Sequence, residues 1–154
     1  MCVVLDCNII SSVFNPSEKD HEEFKPVLHW ITSGNGKMVF GGSKYKKELN
    51  RMKSYLKFIK ELSKAGKCIN VDDSAVDKIQ NEIKNKHRDF NDYHIVAIII
   101  VSKVRIICTK DKKAIPWFKN SDLYPSDVKK PKIYTSKRNR NLLNRRKYIG
   151  NVCL

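Results

Sequence analysis

Two aspartates lie at the most apolar runs of this 154-residue chain. Asp6 interrupts the apolar residues 2–10, and Asp111 stands just beyond the apolar residues 104–109. A carboxylate among apolar strand residues is costly to bury unless it meets a cation or hydrogen-bond donors. If both runs are strands of one parallel sheet, the two acids emerge at the same edge and repel each other unless a metal neutralises them. The spacing therefore predicts a cation bound at that edge.

Two further acids have simple structural explanations when each is taken alone. Asp92 precedes the apolar residues 95–101, where an aspartate serves well as the N-cap of a helix. Glu48 lies in the opening turns of a lysine-rich helix, where an acid gains from the helix dipole and from neighbouring cations. The combination of these acids with Asp6 and Asp111 is more informative than any one of them.

Apolar runs that suit strands alternate along the chain with amphipathic runs that suit helices. The predicted strands lie near residues 2–10, 37–40, 68–71, 104–109 and 132–135. The predicted helices contain residues 24–31, 43–65, 73–83, 92–101 and 111–118, with the second running unbroken to Gly66 and the third capped by Asp72 or Asp73. This alternation predicts an α/β fold with a central, mostly parallel sheet, helices on both faces, and ligands beyond the carboxyl ends of the strands.

Four motifs follow one another in a recognisable order. They are Val4-Leu5-Asp6-Cys7-Asn8-Ile9-Ile10, then Glu48, then Asn91-Asp92-Tyr93-His94-Ile95-Val96-Ala97, then Cys108-Thr109-Lys110-Asp111. In order and spacing this series resembles a PIN domain. The resemblance covers roughly residues 1–118, and its first and last motifs are the most specific.

The resemblance implies a fold, a cofactor and an activity. The fold is a PIN-like three-layer α/β/α sandwich, in which four clustered acids coordinate one or two Mg²⁺ or Mn²⁺ ions for endonucleolytic hydrolysis of RNA. By the same resemblance, Asn8 and Thr109 support the metal site. The four metal-binding and catalytic positions are Asp6, Glu48, Asp92 and Asp111.

Some of these assignments have alternatives in the sequence. Glu48 is favoured by helical phase and by its closeness to Gly41 and Gly42, and Glu61 is the nearest substitute in the predicted helix. Asp89 can assist or replace Asp92. Two further acids, Glu22 and Glu23, belong to the preceding helix. The alternative function is a catalytically inactive PIN-like module that binds RNA or a protein.

The chain is strongly basic, with 31 Lys and Arg against 16 Asp and Glu and a formal net charge of +15. Such an excess favours a polyanionic partner, because each neutralised phosphate releases condensed counterions. A merely solvated surface and an anionic membrane surface are the alternatives. The cations predicted to contact nucleic acid are Lys44, Lys47, Arg51, Lys110, Lys112, Lys113, Arg138 and Arg140.

The length favours one domain, which we place at residues 1–135, followed by a basic extension at residues 136–154. Five dispersed cysteines lack the pairing of a disulfide framework, so we expect reduced, structural thiols. Residues 1–10 have no basic segment, and no stretch reaches the roughly 18 apolar residues of a membrane span. We therefore expect a cytoplasmic protein without a membrane partner. The resemblance to toxin ribonucleases adds an antitoxin or other protein partner, and a homodimer, to the expected partners.

Three other signals carry less weight. Residues 34–37 resemble a phosphate-binding loop, but Met38 stands where Mg²⁺ would need a hydroxyl, so a turn is expected. The four histidines show no zinc-ligand spacing, and His94 is expected on a helix surface. A receiver-like signalling domain would need paired acids after the first strand, and these are not present.

Overall fold

A parallel sheet of five strands lies at the centre of the structure, a computed structural model that describes residues 1–144 and 151–153. The strands are β1 (Cys2–Leu5), β2 (Lys37–Phe40), β3 (Cys68–Asn70), β4 (Ile106–Cys108) and β5 (Lys132–Tyr134). Their order across the sheet is β3-β2-β1-β4-β5, and each neighbouring pair is parallel. The predicted strands and their parallel arrangement are confirmed.

Helices cover both faces of this sheet, which gives the three-layer α/β/α sandwich that the sequence predicts. The α-helices of the described residues are α1 (Ile10–Phe14), α2 (His21–Thr32), α3 (Ser43–Arg51), α4 (Lys53–Lys64), α5 (Asp73–Lys86), α6 (Tyr93–Ser102) and α7 (Ile115–Phe118). Helix α1 packs against α2 and α4, and α5 packs against α6. Right-handed crossovers place these two groups on opposite faces of the sheet.

Strands β1 and β4 are neighbours in space, and they position the first and last acids of the sequence. Leu5 of β1 pairs with Cys108 of β4, and both side chains are fully buried. From β1 the chain crosses to β2 on one side, and from β4 it crosses to β5 on the other. The carboxyl ends of β1 and β4 therefore form the switch point at which open parallel sheets bind their ligands.

The first strand is shorter than its apolar run. It ends at Leu5, and the chain then enters a short 3-10 helix at Cys7–Ile9 before α1 begins. Asp6 explains this change, because its side chain accepts a hydrogen bond from the backbone N–H of Asn8 at the start of that turn. The unbroken apolar character of residues 2–10 predicted correctly that most of this segment is buried. It could not distinguish a strand from a buried helical turn.

The single long helix predicted over residues 43–65 is wrong, because Met52 divides it into α3 and α4. Met52 has φ −96° and ψ 57°, outside the helical region, and its N–H donates to Leu49 O. No glycine or proline marks this break in the sequence. Helix α3 contacts α5 and α6, whereas α4 contacts α1 and β3, so the two halves belong to different packing environments.

Helix α6 is the most apolar helix, and it lies under the centre of the sheet. Its residues from His94 to Ile99 are buried, and it contacts β1 and β2. It has 10 residues, about half of what a bilayer requires. None of the helices in residues 1–144 and 151–153 combines the length and the hydrophobicity needed to cross a membrane.

Part of the basic extension packs on the rest of the protein. Residues Lys137–Asn144 form a 3-10 helix that lies against α2, with Leu143 buried in the core. The backbone N–H of Lys137 donates to Glu23 Oε2 at 3.1 Å. The domain boundary between residues 135 and 136 stays a prediction. The basic block at residues 145–148 falls outside the residues that the structure describes.

A disulfide bond joins Cys2 to Cys153, so the expectation that every cysteine is reduced is wrong for this pair. Their Cα atoms are 5.8 Å apart although 151 positions separate them in sequence. Only the folded path of the chain brings them together, which is why their spacing gave no signal. The thiols of Cys7, Cys68 and Cys108 are free, as predicted.

Candidate active site at the carboxyl ends of β1 and β4

Asp6 is held in a buried position immediately after β1. The residue is 5% exposed, and its backbone N–H donates to Cys108 O at 2.9 Å. The hydroxyl of Thr109 donates to Asp6 Oδ2 at 2.8 Å, and the N–H of Asn8 donates to Oδ1 at 3.4 Å. The two residues expected to support Asp6 therefore contact its carboxylate directly.

Burial is the largest cause that raises the pKa of Asp6, and the neighbouring charge of Asp92 adds to it; with the hydrogen bond from Thr109 acting against both, the pKa is about 6. Asp6 thus lies among groups that do not fully compensate its negative charge. A bound cation would favour the ionised form of Asp6 and lower its pKa.

Asp111 lies just past β4 and is fixed through the same threonine. Its N–H donates to Thr109 Oγ1 at 3.1 Å, so one buried hydroxyl connects the first and last acids of the sequence. Asp111 Oδ1 accepts hydrogen bonds from the N–H groups of Lys113 and Ala114, at 2.8 and 3.3 Å. These bonds all orient the Asp111 carboxylate at the carboxyl edge of the sheet.

Replacing Thr109 by Val should lower the free energy of unfolding by about 1–3 kcal/mol, because the N–H of Asp111 and the buried carboxylate of Asp6 each lose a partner. Urea denaturation followed by circular dichroism measures the change. Thr109→Ser is the matched control, since it keeps the hydroxyl and should cost clearly less. Equal losses for the two variants would show that the methyl group, rather than the hydroxyl, stabilises this edge.

Asp92 occupies the N-cap position of α6, yet its side chain makes no cap hydrogen bond there. The simple capping explanation is therefore wrong. Burial raises the pKa of Asp92; His94 lowers it, and the charge of Asp111 raises it again. The Asp92 carboxylate therefore lies within the electrostatic influence of Asp111 and Glu48, and it does not cap the N–H groups of its own helix.

Glu48 lies on α3, and its carboxylate is held by a buried histidine of α6. His94 Nε2 lies 3.2 Å from Glu48 Oε2, and His94 is 1% exposed. The prediction that His94 lies on a helix surface is wrong, because α6 is buried on all sides in its first turns. Burial alone would raise the pKa of Glu48, but the hydrogen bond and charge of His94, with the charge of Lys44, bring it below its usual range.

The Cys7 thiol lies between the acids. Burial raises the pKa of Cys7, and the charges of Glu48 and Asp6 raise it further. Because Asp92 responds in turn to Asp111 and Glu48, the four predicted acids form one electrostatic group. Asp6 and Asp111 follow the neighbouring strands β1 and β4, and Glu48 and Asp92 lie close enough for their charges to act on this group.

The alternative acids lie elsewhere, with one exception. Glu61 is exposed on α4 and pairs with Lys64 at 3.1 Å, and Glu22 pairs with Lys25 at 3.2 Å. Glu23 accepts from the backbone of the basic extension. Asp89 does share a cleft with Asp92 and Asp111, so it remains an acid of this region.

Two of the predicted RNA-binding lysines are engaged within the protein. Lys44 Nζ donates to Asn91 O at 2.6 Å and lies 4.0 Å from the centre of the Tyr93 ring. Lys110 Nζ donates to Ser12 Oγ at 2.9 Å and to Asp20 at 3.0 Å. Both lysines fix loops around the acids, and an RNA would have to displace these contacts to use their full charge.

The other predicted cations are exposed. Lys47 and Arg51 project from α3, and Lys112 and Lys113 follow Asp111 directly. Lys113 also lines the cleft that contains Asp92 and Asp111. The exposed Arg138 and Arg140 lie on the 3-10 helix beside α2, and Arg140 lines a different pocket with His29 and Trp30. These two arginines are therefore placed apart from the acids.

The cleft lined by Asp89, Asp92 and Asp111 has a volume of about 280 Å³, and its walls contain an aromatic pair; Asp6 and Glu48 are not among its lining residues. Trp117 stacks on Phe90 with ring centres 5.0 Å apart and planes inclined by 17°. Neither Trp117 nor His94 was assigned to the site from the sequence. For His94 the signal was available, since a histidine within a continuous apolar helix needs a buried polar partner.

The donor chemistry of this edge fits a hard divalent cation, because the four side chains offer carboxylate oxygens and two of them have raised pKa values. Within residues 1–144 and 151–153, however, no group of three or more His, Cys, Asp or Glu side chains is placed so that it could hold a metal ion. The acids would therefore have to draw closer together before they could bind such an ion.

Comparison with known proteins adds no further assignment. No family model, curated protein or solved structure matches this chain. The resemblance to PIN domains therefore depends on the motifs of the sequence alone.

Proposed function

We propose that this protein is a metal-dependent endoribonuclease that hydrolyses RNA phosphodiester bonds at the cleft between β1 and β4. The observation that supports this most directly is the meeting of Asp6, Glu48, Asp92 and Asp111 at the switch point of a parallel sheet. Four acids from four separate segments, two of them with raised pKa values, are difficult to explain by stability alone.

Each side chain has a role in this proposal. Asp6 and Asp111 would hold Mg²⁺ or Mn²⁺ from the strand ends, and Glu48 and Asp92 would complete the set of ligands from two helices. Thr109 and Asn8 orient Asp6, and His94 orients Glu48. When bound, the metal would activate water as a nucleophile and neutralise charge on the phosphate. Lys113, which lines the cleft, would stabilise the charge that develops on the phosphoryl oxygens.

Cleavage of a mixed pool of single-stranded and structured RNA tests the proposal. Wild-type protein should cut the pool with Mg²⁺ or Mn²⁺ and should stop when EDTA is added. Asp6→Asn should lower the rate by more than about a hundredfold, because outer-sphere partners of metal ligands already account for 10- to 100-fold effects. Gel electrophoresis of end-labelled RNA measures both, and a parallel DNA pool tests the preference for ribose.

A comparison of two glutamate variants tests whether Glu48 or Glu61 belongs to the site. Glu48→Gln should lose cleavage to a similar extent, whereas Glu61→Gln, on the exposed face of α4, should stay within about twofold of wild type, as surface changes usually do. If Glu61→Gln were the inactive variant, the assignment of Glu48 would be wrong. If wild-type protein bound RNA without cutting it under any of these conditions, the nuclease proposal itself would fail.

The second candidate function is a PIN-like module that binds RNA, or a protein such as an antitoxin, without cutting. One observation favours it: in the described residues no group of three or more His, Cys, Asp or Glu side chains is placed so that it could hold a metal ion. This candidate predicts RNA binding that survives both EDTA and Asp6→Asn, with no cleavage in any condition. A homodimer is compatible with either candidate, and light scattering measures it.

A further inference from the structure

An aromatic cleft opens between α1 and α4, outside the group of acids. Its lining residues are Phe14, Asn15, Ser54, Tyr55 and Phe58, and its volume is about 400 Å³; we refer to it as the α1–α4 cleft. Among the described residues, Phe58 is the one large apolar side chain that is exposed, at 38%. Its ring contacts Phe14 edge-on, with centres 5.0 Å apart and planes inclined by 64°. The edge contact leaves part of the Phe58 ring open to a ligand.

The surroundings of this cleft are cationic. Lys53, Lys57 and Lys60 are exposed on α4, within one turn or so of Phe58. The acid of this helix, Glu61, forms an ion pair with Lys64 at 3.1 Å, so it offsets little of that charge. An exposed aromatic ring among unneutralised lysines fits a ligand that has both negative charges and flat apolar groups.

The α1–α4 cleft lies close to the edge that carries the acids. Helix α1 begins four residues after Asp6 and ends at Phe14. The hydroxyl of Ser12, two positions before Phe14, accepts a hydrogen bond from Lys110, the neighbour of Asp111. On the other wall, α4 follows α3, whose exposed Lys47 and Arg51 extend the positive charge from Glu48 towards Phe58.

We propose that the α1–α4 cleft binds an unpaired segment of single-stranded RNA, with one base stacked on Phe58 and the neighbouring phosphates held by Lys53 and Lys57. Stacking on an aromatic ring inside a positive groove is how proteins bind single strands without reading their sequence. This inference rests on the proposed function, since it takes RNA as the substrate. It assigns the α1–α4 cleft to the part of the RNA next to the bond that is cut.

Other occupants fit the cleft less well. A second copy of this chain would bring the same lysines to the interface and a net charge of +15, so the two surfaces would repel each other. An acidic protein would match the charge but would not supply a row of planar groups for the exposed ring. The experiment includes an acidic polypeptide so that binding of an acidic protein can be distinguished from binding of RNA.

Binding is measured by fluorescence anisotropy with a short labelled oligouridylate in EDTA, so that cleavage does not interfere. Phe58→Ala should weaken binding by about 5- to 150-fold, the usual range for loss of one stacked base. Phe58→Trp should bind at least as tightly as wild type, whereas Phe58→Leu, which keeps an apolar side chain without a ring, should weaken binding as much as alanine does. Lys57→Gln should reduce the slope of the logarithm of the binding constant against the logarithm of the salt concentration by about one.

Two controls make the result specific. Duplex RNA of the same length should bind equally well to wild type and Phe58→Ala, because its bases are already stacked. Polyglutamate should bind weakly to both. The inference is overturned if Phe58→Leu binds oligouridylate like wild type, if duplex binding falls as much as single-strand binding, or if only polyglutamate binding depends on Phe58, which would identify a protein-docking surface.

The outcomes also separate this inference from the proposed function. Cleavage by wild-type protein together with unchanged oligouridylate affinity in Phe58→Ala would refute the α1–α4 cleft alone. Ring-dependent binding by a protein that never cuts RNA would refute the nuclease proposal and leave the cleft as a binding site. Thermal denaturation of each Phe58 variant checks folding, which should change only modestly, because the side chain is 38% exposed and its contact with Phe14 is edge-on.

Discussion

In the absence of metal, Asp6→Asn is expected to be more stable than the wild-type protein at neutral pH, by up to about 3 kcal/mol. The pKa of Asp6 is about 6 in the folded protein, against 3.8 for an exposed aspartate. At about 1.4 kcal/mol for each tenfold change in proton affinity, this difference gives about 3 kcal/mol of destabilisation in the ionised form. Asparagine keeps the acceptor for the Thr109 hydroxyl without the charge.

The effect has a definite pH dependence. Well below pH 3.8, Asp6 is protonated in both the folded and the unfolded state, so the wild type and the variant should differ little. As the pH rises towards 6, the unfolded chain loses its proton while the folded protein retains it, and the wild-type protein becomes progressively less stable. Above pH 6 the difference between the two proteins should be constant. Urea denaturation in EDTA between pH 4 and about pH 7.5 measures this curve.

Adding metal should reverse the order of stability. Mg²⁺ or Mn²⁺ should stabilise the wild type by binding its folded state, and should have little effect on Asp6→Asn. Asp122→Asn, an exposed acid on a short helical turn, is the control for loss of one negative charge. A metal-free Asp6→Asn protein less stable than wild type at pH 7 would mean that hydrogen bonds, rather than desolvation, govern Asp6. This test of the metal site does not depend on finding the right RNA.

The largest single effect on stability is expected at the disulfide. Cys153→Ser should lower the free energy of unfolding by about 4–5 kcal/mol, because a crosslink over 151 positions removes much of the freedom of the unfolded chain. A reducing agent should lower the stability of the wild type by the same amount and should leave the variant unchanged. Denaturant unfolding under oxidising and reducing conditions measures both.

Thiol counting provides the check. Denatured but unreduced protein should expose three titratable thiols, from Cys7, Cys68 and Cys108, and five after reduction. Cys68→Ser is the matched variant, since it removes a cysteine that is not part of the disulfide. A titration of five thiols without reduction, or equal stabilities for Cys153→Ser and Cys68→Ser, would contradict the crosslink.

The parts of the fold that follow from local patterns could be predicted from the sequence. Two apolar runs, at Asp6 and just before Asp111, are predicted to be strands of one parallel sheet, because buried parallel strands are apolar throughout, and the structure adds that these strands, β1 and β4, are neighbours. This pairing places Asp6 and Asp111 together. Their joint attachment to Thr109 could be anticipated only as a role that the resemblance implied.

The parts that depend on packing between distant segments could not be predicted. The contact between Glu48 and His94 requires α3 to end at Met52 and to lie across α6, and no local signal in the sequence marks either feature. Lys44 and Lys110 illustrate the same limit. Their positions near acids suggested phosphate binding, but the fold supplies each with partners within the protein.

The disulfide also determines how this protein would respond to mechanical force. Cys2 lies on β1, the middle strand of the sheet, so a pull on the chain ahead of it would otherwise act on the hydrogen bonds that join β1 to β2 and β4. With the bond to Cys153 intact, tension applied across the two cysteines passes through the sulfur atoms and bypasses the sheet. An unfoldase that pulls proteins through a narrow pore would then have to translocate two segments of the crosslinked chain side by side. Reduction of the disulfide would leave a single linear chain, from which β1, the central strand of the sheet, could be pulled out first.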